Sequence, residues 1–247
     1  MVGERFRSQL TEKSRENNSK LILALDVAEG DVEKEGIDKK YLNILAKAKD
    51  SIAAVKIGYP LVLETNLEIL TRAKKRGKVP VIADFKIADI PYTNRQITRS
   101  AYRAGADGVI AHAFVGQDSL EAVVQATREE GGRGVIVLPA MSHEGGKMFI
   151  QPVSNKMLEL AKKVKATGII GPATRPEDVE NLRTKAGKDL LIFTPGIGAQ
   201  GAMPGDAIRC GADYEIVGRA IYTSENPKKE AEKIRKKINK RTENLSR

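Results

Sequence analysis

The sequence has few of the residues that hold metals and disulfides. Among 247 residues there is one cysteine, Cys210, and there are two histidines, His112 and His143. One cysteine can close no internal disulfide and build no thiolate cluster. Two histidines argue against a multi-histidine metal centre, so no metal is expected. The cysteine count points to a reduced, cytoplasmic setting. No apolar run approaches the ~18 residues of a membrane span. The opening stretch, MVGERFRSQLTEKSRENNSK, is polar and charged, without the apolar centre of a secretory signal. Hydrophobic residues still make up 41% of the chain, enough to enclose a proper core.

Charge is present in excess, and its location matters. The formal net charge is +10. Lys228 to Arg247 carry nine Lys or Arg against three Glu. A basic tail can hold RNA or an acidic lipid surface. This one lacks aromatic side chains for base stacking. It reads instead as the solvated face of an amphipathic helix with Ile234 and Ile238 turned inward. Neither a nucleic-acid nor a membrane partner is expected.

Short apolar runs recur along the chain, each followed by a helical pattern. The strand candidates are Leu21–Leu25, Ile52–Ile57, Val79–Ala83, Gly108–Ala111, Gly134–Leu138, Gly168–Ile170, Leu190–Phe193 and Glu215–Val217. Helical stretches fall at about 39–50, 60–77, 93–105, 118–130, 154–166, 176–187, 204–211 and 226–241. Strand alternating with helix signals a parallel α/β sheet. Eight such units in this length fit a (β/α)8 TIM barrel. An open doubly wound sheet would carry a glycine fingerprint after its first strand, and "LALDVAEGD" has none. One barrel domain over 1–247 is expected, with an extra N-terminal helix within 1–18 and a basic C-terminal helix and tail over 226–247.

In such a barrel the chemistry sits at the C-terminal ends of the strands. Polar groups collect at those ends: Asp26, Lys56, Asp84, Lys86, Asp89, His112, the Met141-Ser142-His143 loop, Pro195 with Gln200 in the following loop, and Gly218-Arg219. The run "VIADFKIADIP", residues 81–91, is the densest. Asp84 and Lys86 are two apart on a strand and share a face, with Phe85 on the other. Asp89 lies beyond, just before Ile90-Pro91, where proline favours the first turn of a helix. There it can reach sideways, across a subunit boundary. Acid, ammonium and acid held close keep the lysine protonated and the acids ionised. At the other side of the barrel mouth, glycines 196, 198 and 201 let backbone N–H groups approach an anion. Arg219 can grip a phosphate with a forked pair of bonds.

These residues carry a resemblance. "LALD", "VKIGYPLVL", "IADFKIADIPYTN", "AGADGVIAH", "MSHEGG", "GPATRPE", "TPGIGAQG" and "IVGRAIY" run in order from the first strand to the eighth. The chain resembles the orotidine 5′-monophosphate decarboxylases of the archaeal type. Residues 1–18 and the basic tail carry no part of the likeness. Glu144 departs from the family, which often has proline after Ser-His. The resemblance implies a cofactor-free, metal-free decarboxylation of orotidine 5′-monophosphate to UMP. It implies that Lys86 gives the proton to C6 and that Asp84 faces the departing carboxylate. Lys56, Asp84, Lys86 and Asp89 would form an alternating chain of charge. Asp26 and Lys56 would hold ribose hydroxyls, and Ser142 would read the pyrimidine amide edge. Gln200, Gly218 and Arg219 would bind phosphate, under a closing loop from Gly198 to Gly205. Ile90 and Pro195 would complete the substrate site. The family implies a homodimer in which Asp89 and Thr93 reach the partner's site. An alternative shares the D-x-K-x-x-D run: Mg2+-dependent keto-sugar-phosphate decarboxylases and hexulose phosphate synthases, which have a glutamate where this chain has Lys56.

Overall fold

Eight parallel strands close on themselves in sequence order, with helices outside. The computed structural model describes residues 2–31, 35–198 and 201–243. The strands are β1 (Leu21–Leu25), β2 (Ala54–Gly58), β3 (Val81–Ile87), β4 (Gly108–His112), β5 (Gly134–Leu138), β6 (Gly168–Ile170), β7 (Leu191–Pro195) and β8 (Tyr214–Val217). β8 pairs back onto β1, with Leu21 opposite Glu215. The helices are α1 (Glu4–Glu16), α2 (Ile37–Ala48), α3 (Tyr59–Leu63), α4 (Ile69–Gly77), α5 (Pro91–Arg103), α6 (Gln117–Glu129), α7 (Gly146–Lys163), α8 (Pro176–Ala186), α9 (Asp206–Arg209), α10 (Arg219–Tyr222) and α11 (Pro227–Thr242). The fold is the expected (β/α)8 barrel, and α1 is the expected extra helix. No described helix is long and apolar enough to cross a membrane.

Both faces of each strand are buried, so the strands read as apolar runs rather than alternating ones. Alternation still decides which core a side chain joins. Ile22 and Ala24 point into the barrel, where Ile82, Ile110, Ile136, Ile170, Phe193, Tyr214 and Ile216 meet them. Leu21, Leu23 and Leu25 point out, into the layer shared with the helices. α1 stops the bottom of the barrel: Phe6 and Leu10 are fully buried with the inward set. Room for the Phe6 ring comes from Gly134, where a Cβ would lie 2.3 Å from Phe6 Cδ1. α11 buries Ala231, Ile234 and Ile238 and leaves its lysines outside, as its pattern requires.

Several boundaries differ from the sequence expectation. β3 runs on to Ile87 instead of ending at Ala83, so Asp84 and Lys86 stand within the strand. The apolar run stopped at the first charge, whereas the backbone carries that charge into the barrel mouth. The expected helix over 60–77 is two helices, α3 and α4. Between them the Asn66 side chain accepts the Glu68 N–H at 2.9 Å, a turn that interrupts the helix. α7 begins at Gly146, eight residues before the expected 154, because the added turns are mostly exposed and show no apolar stripe. The expected 204–211 helix shrinks to the single turn of α9.

Candidate active site

The charges at the strand ends form one connected group. The Asp84 carboxylate is shared: Oδ2 accepts from Lys56 Nζ at 2.7 Å and Oδ1 accepts from Lys86 Nζ at 2.9 Å. Lys56 Nζ also lies 3.6 Å from Asp26 Oδ1. Three adjacent strands position these groups, since β1, β2 and β3 are neighbours in register. Gly58 leaves room for Asp26, because a Cβ there would come within 2.9 Å of Asp26 Oδ1. Burial opposes the charge on Lys56, but the carboxylates of Asp84 and Asp26 outweigh it and hold the ammonium above the usual lysine range. Burial likewise opposes the charge on Asp84, and the two lysines overcome it, keeping the carboxyl below its ordinary range. Lys56 and Asp84 are therefore both charged at neutral pH.

Lys86 stands apart in conformation. Its φ is 43°, in the left-handed region that non-glycine residues rarely adopt. The β3–β4 ladder shifts register between Ala83 and Ile87 at the same place. A bulge of this kind re-aims a side chain, and here it leaves Lys86 more exposed than Lys56, on the open side of Asp84. Local backbone strain of order 1–3 kcal/mol persists where surrounding structure holds it, commonly at functional sites.

The group faces a cavity of about 340 Å³ at the C-terminal mouth of the barrel. Asp26, Lys56, Asp84 and Lys86 line it, and so do Ser142, Pro195, Gly218 and Arg219. Eight of the sequence candidates thus meet in one place. Asp89, Ile90 and Thr93 do not line it. Asp89 and Ile90 are exposed, and Asp89 Oδ1 accepts the Ile90 N–H at 2.7 Å at the start of α5. Gln200 lies outside the described residues.

Other lining residues had no role assigned from the sequence. The floor is apolar: Ala24, Ile110, Leu138, Ile170 and Ile216. The signal for it was available, since Ala24, Ile110 and Ile216 each stand two before a rim residue and share its face. Tyr222 closes the wall beside Arg219, and burial together with Asp26 raises its hydroxyl pKa. His143 lines the cavity, while His112 is packed 4.7 Å from the Phe114 ring. The buried Nδ1 of His112 has no hydrogen-bond partner among the described residues. Burial, aided by Lys86, lowers the His112 pKa to about 4, so its ring is neutral at physiological pH.

The arrangement offers one face of alternating charge, an apolar floor, and a glycine-arginine corner after β8, the strand that pairs with β1. A model of the orotidine 5′-phosphate decarboxylase / HUMPS family matches residues 19–234. The chain belongs to this family. Members of the family named orotidine 5′-phosphate decarboxylase are similar over most of the chain. The one from Thermococcus kodakarensis is 46% identical over 220 residues, 89% of this chain and 97% of the relative. That from Methanocaldococcus jannaschii is 45% identical, covering 90% and 99%. The crystal structure of the M. jannaschii enzyme complexed with the inhibitor BMP superposes with a TM-score of 0.80 at 43% identity, covering 90% of this chain and 99% of that one. The Pyrococcus horikoshii enzyme gives a TM-score of 0.78 at 41% identity, covering 89% and 99%. The family match begins at residue 19, so α1 lies before it, and it ends within α11.

Proposed function

We propose that this chain decarboxylates orotidine 5′-monophosphate to UMP and CO2, the last step of de novo pyrimidine nucleotide synthesis, without metal or organic cofactor. One observation carries the reading: a buried carboxylate shared by two lysines, at the rim of a cavity with Gly218-Arg219 on another wall. Breaking the bond from C6 to the carboxylate leaves an electron pair in an sp2 orbital with no π system to absorb it. The protein must then stabilise that charge with groups already in place. Lys86 supplies an ammonium that faces the developing carbanion and then transfers a proton to C6. Asp84 orients both lysines and sits against the carboxylate that leaves. Asp26 and Lys56 hold the ribose hydroxyls, and Ser142 reads the pyrimidine amide edge. Gln200, Gly218 and Arg219 make the phosphate end, and Pro195 completes the substrate site. Binding energy there is remote from C6 and offsets the crowding of charge at the reacting carbon.

Lys56 also separates this reading from the Mg2+-dependent sugar-phosphate enzymes of the same family. Its ammonium stands between Asp26 and Asp84, where it repels a divalent cation instead of ligating one.

The active unit in this reading is a homodimer. Large apolar side chains stand exposed around the mouth: Tyr59, Leu63, Ile90, Tyr92 and Phe114. They follow β2, β3 and β4, on the rim next to the charged group. A second copy that covers them would bring its Asp89 and Thr93 to this cavity, with Asp89 completing the alternating charge.

The test is spectrophotometric. Purified protein is mixed with orotidine monophosphate in EDTA, and loss of substrate ultraviolet absorbance is followed. Rapid decay in the chelator is the expected outcome. No decay by folded protein would overturn the reading and direct the assay to sugar phosphates with Mg2+.

A further inference from the structure

The outer face of β8 carries a charge where its neighbours are apolar. Leu21, opposite it on β1, and Val217, two further along β8, both belong to the outer hydrophobic layer. Glu215 between them is fully buried. Its two carboxylate oxygens accept the same backbone N–H, that of Gly205, at 3.0 and 2.8 Å. Gly205 ends the loop that leaves β7. That loop begins with Pro195, Gly196 and Ile197, all lining the active-site cavity. It is pinched in the middle, where Gly198 N donates to Ala202 O at 2.8 Å and Gly201 N donates to Gly198 O at 3.0 Å. One limb therefore hangs from β7, and the other is fastened to β8 by a side chain. β8 is also the strand that delivers Gly218 and Arg219, three and four residues after Glu215.

We infer that Glu215 is a positioning residue that registers the β7 loop against Gly218-Arg219, so that both halves of the phosphate site are preorganised on one strand. The inference rests on the proposed phosphate site. Positioning of this kind acts on the phosphate-bearing substrate and not on a substrate without phosphate.

The experiment compares kcat/KM for orotidine monophosphate and for orotidine. Glu215→Leu fills the space and removes the acceptor. It is expected to lower kcat/KM at least tenfold for the nucleotide, mainly through KM, and to leave orotidine unchanged. Glu215→Gln keeps one acceptor and is expected to stay within threefold of the unsubstituted enzyme. Equal losses on both substrates, or no loss on either, would overturn the inference, as would a loss in Glu215→Gln as deep as in Glu215→Leu. If Glu215→Leu does not fold, hydrogen exchange on the unsubstituted protein decides. Peptides spanning 201–208 should gain protection with UMP and not with uridine, and equal protection would overturn the inference. Arg219→Ala separates the two readings. If it leaves the ratio of the two substrates unchanged, the phosphate assignment itself fails. If it collapses the ratio while Glu215→Leu does not, only the role of Glu215 fails.

Discussion

Lys86 and Asp84 differ in what their removal leaves behind. Lys86 is partly exposed, so its loss strands no buried charge except one bond on Asp84, which keeps Lys56. Lys86→Ala should therefore fold and still bind UMP. Turnover should drop by about 10⁴-fold or more, since general acid catalysis and charge stabilisation are lost together. Retained turnover in a stopped assay would remove Lys86 from the proton-donor role. Asp84→Asn has the opposite emphasis. Lys56 and Asp84 are both almost wholly buried. Breaking such a pair leaves a buried ammonium with Asp26 as its remaining carboxylate at 3.6 Å. A loss of about 3–5 kcal/mol is expected, read from the midpoint of urea unfolding. A midpoint within error of the parent would show that Asp26 alone can hold Lys56.

At the scale of elements, the barrel depends on what seals its two ends. α1 seals the bottom through Phe6, whose ring fills the space left by Gly134. Phe6→Ala should cost about 3–5 kcal/mol, as large-to-small changes of a buried aromatic do, with kcat nearly unchanged because the site is at the other end. Calorimetry and the decarboxylation assay check the two halves. A large fall in kcat with little loss of stability would contradict the plug. β8 gives a pH signature. Burial raises the Glu215 pKa to about 7; the N–H groups of Gly205, Ile208 and Ala207 oppose the rise and Asp206 adds to it. Arg241 on α11 pairs with that Asp206. Because the folded pKa is above the ordinary carboxylate value, this group's stabilising contribution is full below pH 4.5 and is lost as pH rises through about 7. Unfolding temperature should therefore fall between pH 5 and pH 8 by more in the parent than in Glu215→Gln. Parallel curves would show that Glu215 does not titrate there. Sequence patterning made most of this architecture legible. Eight apolar runs marked the eight strands, and the period of two placed Asp84 and Lys86 on one face. It hid the length of β3, because a hydrophobic pattern stops at a charge while a backbone ladder need not. It also hid Glu215, since nothing local to "DYEIV" says that its carboxylate meets a glycine ten residues earlier. Tyr222 was missed for a similar reason: only the turn of α10 brings it back beside Arg219.

At the scale of the whole molecule, the site in one chain is incomplete in the proposed reading. Lys56, Asp84 and Lys86 meet within one chain, yet Asp89 stands exposed outside the cavity. If a second copy supplies it, the two substitutions Lys86→Ala and Asp89→Ala fall in different halves of each shared site. Each homodimer of a single variant is then inactive or nearly so at both sites. In a mixed dimer of two-fold symmetry one site receives both substitutions and the other receives neither. Random exchange of equal amounts places half the molecules in mixed dimers, so about a quarter of parental activity should return. The recovery must follow unfolding and joint refolding, or slow subunit exchange, and must track the mixed dimer on a tagged purification. A mixture that stays inactive while mixed dimers are demonstrably present would mean that Asp89 acts within its own chain, and the exposed rim of Ile90, Tyr92 and Phe114 would need another partner.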